Sequence, residues 1–261
     1  MSSDTTYTQH PEIQIFPDKE ALAQAAAQRF VAFAKVRTEA GEPFRVALAG
    51  GSTPKALYAL LAAAPYRDEI DWSLVHLFFG DERCVPSDSE DSNYNMVKAS
   101  LLGPSPQIPS QNVHRMPADL PDHEQAALQY EDELRTAFAS SNDSLDATGA
   151  PRFDLILLGM GPDGHTASLF PHKPALHVQD RLVVATEPGL KPFVPRLTLT
   201  FPVLNAAAQV LFLVAGEDKA VTLARVLNGS SDSEALPSQS VRPTHGHLTW
   251  LVDKDAASEL S

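Results

Sequence analysis

The chain has 261 residues, 43% of them apolar and 20% charged, which is the composition of a globular protein rather than a disordered one. A formal net charge of −13 argues against duplex nucleic acid and anionic membrane as partners, and a single cysteine, Cys84, excludes an intrachain disulfide and a Cys-rich metal site. The opening stretch MSSDTTYTQHPE has neither a basic region nor an apolar run, and no apolar segment reaches the roughly 18 residues that span a bilayer, so a soluble cytoplasmic protein is expected.

Residues 13 to 16 read as a first strand. From Asp18, a plausible N-cap, to about Arg37 the pattern is helical, with Leu22, Ala26, Phe30 and Phe33 on one face. Phe44 to Ala49 reads as a buried strand running into GGSTP, followed by a helix with Leu57, Leu60, Leu61 and Ala64 on one face. Trp72 to Phe79 reads as the next strand, running into GDERCVP. An acidic loop then leads to a helix from about Asn93 to Leu102.

Residues 103 to 121 are Pro-rich and read as a connection. Ala127, Tyr130, Leu134 and Phe138 mark a further helix, and residues 139 to 151 a polar loop. Leu155 to Leu158 is a strand that enters a glycine turn and then a short helical pattern, Thr166 to Phe170. Arg181 to Thr186 and Arg196 to Phe201 read as strands on either side of EPGLKPFVP. Val210 to Ala215 reads as a strand, Asp218 to Leu227 as a helix and His247 to Val252 as the last strand. Strands alternate with helices throughout. The expectation is one α/β domain over residues 1–261, a three-layer α/β/α sandwich with a mainly parallel sheet.

The chemistry concentrates in FDLILLGMGPDGHTASLFP. Imidazole titrates near neutral pH, and His165 stands two positions after Asp163, a carboxylate able to fix its tautomer. Gly159, Gly161 and Gly164 also fit GxGxxG, and Asp180 follows at the distance that a dinucleotide site asks for. The sequence leaves three readings open here: a nicotinamide site, a plain tight turn, or a catalytic turn.

A second candidate is Gly50, Gly51, Ser52 and Thr53, where a strand hands over to a helix. Free N–H groups and hydroxyls there make an anion site, or else an ordinary capped helix. Asp81, Glu82 and Arg83 follow a strand end and read as crevice residues or a solvated loop. Arg196 opens a strand. Lys219 starts a helix, where a cation opposes the dipole, so a ligand role gains weight over a plain surface lysine. His245 and His247 lack the spacing of a metal site, GxSxG is absent, and Cys84 beside Arg83 reads as an incidental thiol.

LAGGSTPKALY, FFGDERCVP with the following SNYNM, FDLILLGMGPDGHTASLFP, RLTLTFPVLNAA, VAGEDKA and LPSQSVRPTHGHLTWLVD occur in that order over nearly the whole chain. Together they resemble the 6-phosphogluconolactonase family. The wider superfamily, including the amino-sugar phosphate isomerase/deaminases, shares only the glycine turn and the Asp-Gly-His step. The resemblance implies a glucosamine-phosphate isomerase/deaminase-like fold and hydrolysis of 6-phospho-D-glucono-1,5-lactone to 6-phosphogluconate without metal or nucleotide.

It also implies His165 as the base, Gly50, Gly51, Ser52 and Thr53 with Arg196 and Lys219 at the phosphate, and Asp81 and Arg83 in the cleft. Asp163 would orient His165, while Arg83 or the N–H groups of the Gly161–Gly164 turn would meet the oxyanion. Expected partners are the small-molecule substrate alone, with no nucleic acid and no membrane, and a monomer or weak homo-oligomer. The competing readings are an isomerase/deaminase with Asp81 as base, and a non-catalytic sugar-phosphate sensor.

Overall fold

The computed structural model describes residues 11–104, 108–139, 145–146 and 149–260. The first strand is β1, Glu12–Phe16. It leads to α1, Lys19–Thr38, capped by the Asp18 side chain, which accepts from the Ala21 N–H at 2.8 Å. Leu22, Ala26 and Phe30 are fully buried on its inner face. Next come β2, Phe44–Leu48, and α2, Ser52–Leu61. The buried face of α2 is Leu57, Tyr58 and Leu61; Ala64 lies beyond the helix end and is exposed.

The strand expected from Trp72 is shorter. Trp72–Leu74 make a 3-10 turn capped by Asp71, and β3 runs from Val75 to Phe79. Asp81–Arg83, expected as a loop, form a short strand, β4. Then follow α3, Asn93–Val97, continued by a π-helical turn over Lys98–Leu102, and α4, His123–Phe138. Parts of the expected Pro-rich connection and polar loop lie outside the described residues.

The second half has β5, Leu155–Leu158; β6, Val183–Thr186; β7, Arg196–Leu199; α5, Phe201–Ala206; β8, Gln209–Val214; α6, Ala220–Asn228; and β9, His247–Asp253. The strand expected to reach Phe201 stops at Leu199. Pro202 lacks the N–H a strand ladder needs, and its fixed φ suits the first turn of α5.

The central sheet has six strands in the order β1-β9-β8-β5-β2-β3, every neighbouring pair parallel. Its middle strands, β2 and β5, are buried along their whole length, as expected for a sheet covered on both faces. A second sheet, β4-β7-β6, is antiparallel. The whole is a mainly parallel α/β/α sandwich with this small sheet added at the carboxyl end. The chain leaves β2 for β3 on one side and later enters β5 on the other. The switch point therefore lies between β2 and β5, where a parallel sheet opens a crevice beyond its strand ends.

Candidate active site

A cavity of about 250 Å³ occupies that crevice. The turn after β2 contributes Gly50 and Gly51, the residues after β3 contribute Gly80, Asp81 and Arg83, and the turn after β5 contributes Gly159 to Pro162 and His165. Lys219 reaches it from the segment after β8, and Arg196 from β7.

The turn after β5 is not the start of a helix. Gly161 N–H donates to the His165 carbonyl at 2.9 Å, and Gly164 N–H to the Gly161 carbonyl at 3.0 Å. Ala167 takes a positive φ of 47°, and Thr166 bridges to Leu169. The expected helical pattern Thr166 to Phe170 is thus a folded turn. A dinucleotide fingerprint needs free N–H groups at a helix start; here those of Gly161 and Gly164 are spent within the turn, and no helix follows. The same bonds remove these N–H groups as oxyanion donors. Asp180 is exposed, ahead of β6.

This turn presents His165. Its Nδ1 meets Asp163 Oδ1 at 2.5 Å, and the same oxygen accepts the His165 N–H at 3.2 Å. Gly161 has no side chain because the His165 ring lies where a Cβ would stand. Burial pushes the Asp163 carboxyl up, but its hydrogen bond to His165 and that residue's charge outweigh it and leave the group below its ordinary value. With Nδ1 held by a carboxylate, Nε2 is the atom left to take a proton, and His165 lines the cavity. The turn is tied down from outside: Thr222 Oγ1 donates to the Pro162 carbonyl at 2.7 Å, and Ser238 Oγ to the Gly164 carbonyl at 2.8 Å.

The short strand β4 explains why the GDER charges separate. Side chains alternate along a strand, so Asp81 and Arg83 share one face and Glu82 takes the other. Glu82 is buried, and its carboxylate accepts from the N–H groups of Arg83, Asn93 and Tyr94, each at 2.7 Å, and from Ser92 Oγ at 3.1 Å. It holds the start of α3. Burial pushes its carboxyl up despite these bonds.

On the cleft side Arg83 stands directly opposite Arg196 in the β4–β7 ladder. Like charges paired across strands repel, which is an arrangement suited to an anion between them. The Arg196 guanidinium is held low in pKa first by burial, a shift countered by Asp81 and reinforced by Arg83. Arg83 Nη1 donates to the Asp91 carbonyl at 2.9 Å.

Asp81 is 7% exposed, and both its oxygens are engaged: Oδ2 accepts from Ser168 Oγ at 2.6 Å and Oδ1 from Asn93 Nδ2 at 3.2 Å. Asn93 and Ser168 were not singled out in the sequence, although each sits in a motif that was. Cys84 is held by burial, with Glu82 adding, at about 11, so it is no thiolate near neutral pH despite its neighbour Arg83.

At the β2 turn the N-cap of α2 is Gly51, with φ +99°, and no side chain caps the helix. Its first N–H groups therefore remain available. The hydroxyls of Ser52 and Thr53 do not line the cavity. Ser52 Oγ accepts from Lys19 Nζ at 2.8 Å, and Thr53 is buried, so backbone rather than hydroxyls faces the crevice. Lys219 pairs with Asp218 at 2.8 Å, which offsets its unfavourable place at the start of α6. His245 and His247 are exposed, outside the cavity lining.

The family model for glucosamine-6-phosphate isomerases/6-phosphogluconolactonase matches residues 17–250. The chain belongs to that family. Among curated relatives it is 41% identical to a 6-phosphogluconolactonase of Synechocystis sp., over 96% of this chain and 98% of that one. It is 39% identical to the 6-phosphogluconolactonase of Streptomyces coelicolor, over 96% of this chain and 95% of that one. Among solved structures it resembles the 6-phosphogluconolactonase from Trypanosoma cruzi, with a TM-score of 0.85, 30% identity, and coverage of 98% and 99%. The family match spans all the turns that line the crevice.

Proposed function

We propose that this chain hydrolyses 6-phospho-D-glucono-1,5-lactone to 6-phospho-D-gluconate, with His165 as general base. The observation that carries the reading is that His165, oriented by Asp163, faces the same cavity as the Gly50–Gly51 turn, Arg83, Arg196 and Lys219.

In this reading Nε2 takes a proton from water as the water oxygen attacks the lactone carbonyl carbon. The carbonyl π electrons move to oxygen, and Arg83 stands on the cleft face to meet that charge. Collapse of the intermediate breaks the bond to the ring oxygen, which leaves as an alcohol with the proton from the imidazolium. A lactone carbonyl is reactive, so one positioned base suffices, typically giving about 10² to 10⁴ in rate. The phosphate is met by the N–H groups at Gly51 and the start of α2, Arg196 and Lys219. These local cations offset the repulsion expected between a chain of net charge −13 and an anionic substrate.

An isomerase/deaminase would need Asp81 as proton-abstracting base. A carboxylate whose two oxygens already accept from Ser168 and Asn93 is better suited to hold its neighbours. The direct test mixes the protein with freshly generated 6-phosphogluconolactone and follows acid release, with glucosamine 6-phosphate as the competing substrate. Lys219→Ala is expected to lower kcat/KM for the phosphorylated lactone by about 10- to 150-fold, the worth of one charge-assisted hydrogen bond, with far less loss on unphosphorylated glucono-1,5-lactone. Equal losses on both lactones would remove Lys219 from the phosphate.

A further inference from the structure

The ring of Phe170 touches the assigned base, a cavity cation and the segment between β6 and β7. It is 2% exposed and lies at the end of the turn that presents His165. On one side the His165 ring packs against it, with centroids 4.6 Å apart and planes inclined at 45°. On another, the Arg196 guanidinium carbon is 6.0 Å from the ring centroid, within cation–π range. On a third it meets Gly189, where a Cβ would overlap the ring.

Gly189 belongs to the segment between β6 and β7, and Arg196 grips that same segment. Arg196 Nη2 donates to the carbonyls of Pro192 at 3.0 Å and Leu190 at 3.3 Å, and Nε to that of Val194 at 3.2 Å. The contacts close a circuit from His165 to Phe170, to Gly189, along the segment to Arg196, and back to Phe170. Leu190 and Lys191 of the segment line the cavity. Asp163 fixes one edge of the imidazole, but a single hydrogen bond at Nδ1 leaves the ring free to rock about it. The Gly161 backbone and the Phe170 ring both pack against the imidazole and together limit that motion.

We propose that Phe170, backed by Gly189, is a positioning residue that fixes the attitude of the His165 ring. This rests on the reading of His165 as base. Phe170 lines the cavity, but a benzene ring exchanges no proton, so it bears on the proton transfer only through where it holds the imidazole. A misplacement of about 1 Å can cost about 10²-fold in rate. The loss belongs in kcat, because substrate binding through the phosphate does not pass through His165.

The test measures kcat, KM and inhibition by 6-phosphogluconate for wild type, Phe170→Leu and Gly189→Ala on the phosphorylated and unphosphorylated lactones, with Tm for each protein. Leu keeps the site apolar but has no ring face; Ala at 189 keeps Phe170 and displaces its ring. For Phe170→Leu, kcat is expected to fall about 10- to 100-fold on both lactones, with KM and product inhibition within about threefold of wild type. Gly189→Ala is expected to show the same pattern at about 10-fold.

A Phe170→Leu protein that keeps wild-type kcat overturns the proposal, as does a loss confined to the phosphorylated lactone. If Gly189→Ala leaves kcat unchanged, the part assigned to the segment falls. Wild type failing to hydrolyse either lactone would instead overturn the functional reading, so the two failures are distinct.

Discussion

His165 and His114 each meet a carboxylate through Nδ1, Asp163 at 2.5 Å and Glu133 at 2.7 Å. The difference lies on the other edge of the ring. His165 lines the cavity, and its Nε2 has no hydrogen-bond partner among the described residues. His114 Nε2 meets His76 Nδ1 at 3.1 Å, and its ring stacks on Phe78 at 4.2 Å with planes inclined by 6°.

The His114 cluster stitches α4 to the edge strand β3: Glu133 sits on α4, His76 on β3, and the His114 N–H donates to the Leu77 carbonyl at 2.8 Å. A carboxylate beside an imidazole therefore does not by itself make a base. The ring needs a second nitrogen that faces space a substrate can enter. Where both nitrogens are engaged, the same pair of residue types becomes a fastener.

The sharpest way to break this comparison is to remove each histidine. His165→Ala is expected to lower kcat by about 10² or more with a smaller change in KM, whereas His114→Ala should leave kcat within about twofold and lower Tm. Steady-state kinetics with thermal melts decide it; a His114→Ala protein with a hundredfold loss of kcat would make the two pairs alike.

Next in size is the carboxylate. Asp163→Asn, which keeps the shape but loses the charge that fixes the tautomer, is expected to lower kcat by about tenfold or more, and Glu133→Gln by less than about twofold.

The smallest effect sharpens the fastener side. Burial, with His114 and Arg45 adding, pushes His76 from its ordinary 6.5 down to about 4. Between those values the unfolded chain binds more protons than the folded one. This contribution to stability is fully present above pH 6.5 and is lost as pH falls from there toward 4.

The geometry gives the reason. Protonating His76 puts a positive charge in a half-buried place beside Arg45 and against the His114 ring, away from the water that would solvate it. Native carboxylates such as Asp163 also contribute to acid unfolding, so the variant comparison is what isolates His76. Replacing it by Gln should shrink the fall in the urea midpoint between pH 7 and pH 4.5. An unchanged fall would place the acid sensitivity elsewhere.

The helices and central strands were legible because their signals are local. Asp18 caps α1, and Leu22, Ala26 and Phe30 give its stripe; Ala127, Tyr130, Leu134 and Phe138 do the same for α4, all fully buried. β2 and β5 read as apolar runs because both their faces are covered. The glycine turn, the GGST turn and the lysine after β8 were visible because turns demand glycine and each lies at a strand end. Two expectations went astray where a neighbour distant in sequence decides. Residues 166–170 have a helix-like pattern, but Ser168 Oγ is claimed by Asp81, and the Ser168 N–H by Thr198 Oγ1 at 3.2 Å. Asp81–Arg83 read as a loop because three residues carry too little periodicity; pairing with β7 makes them a strand.

By itself, then, the sequence determined the α/β alternation, the parallel sheet, the position of the crevice turns and the chemical types gathered there, because propensity, burial periodicity and turn chemistry act over a few residues. Only the tertiary structure decided which of those residues face one another. It turned Glu82 inward and Arg83 toward Arg196, engaged both oxygens of Asp81, took the Ser52 hydroxyl away to Lys19 and set Phe170 between base and cation. Those outcomes depend on register between strands far apart in the chain, where a shift of one residue would reverse every side chain.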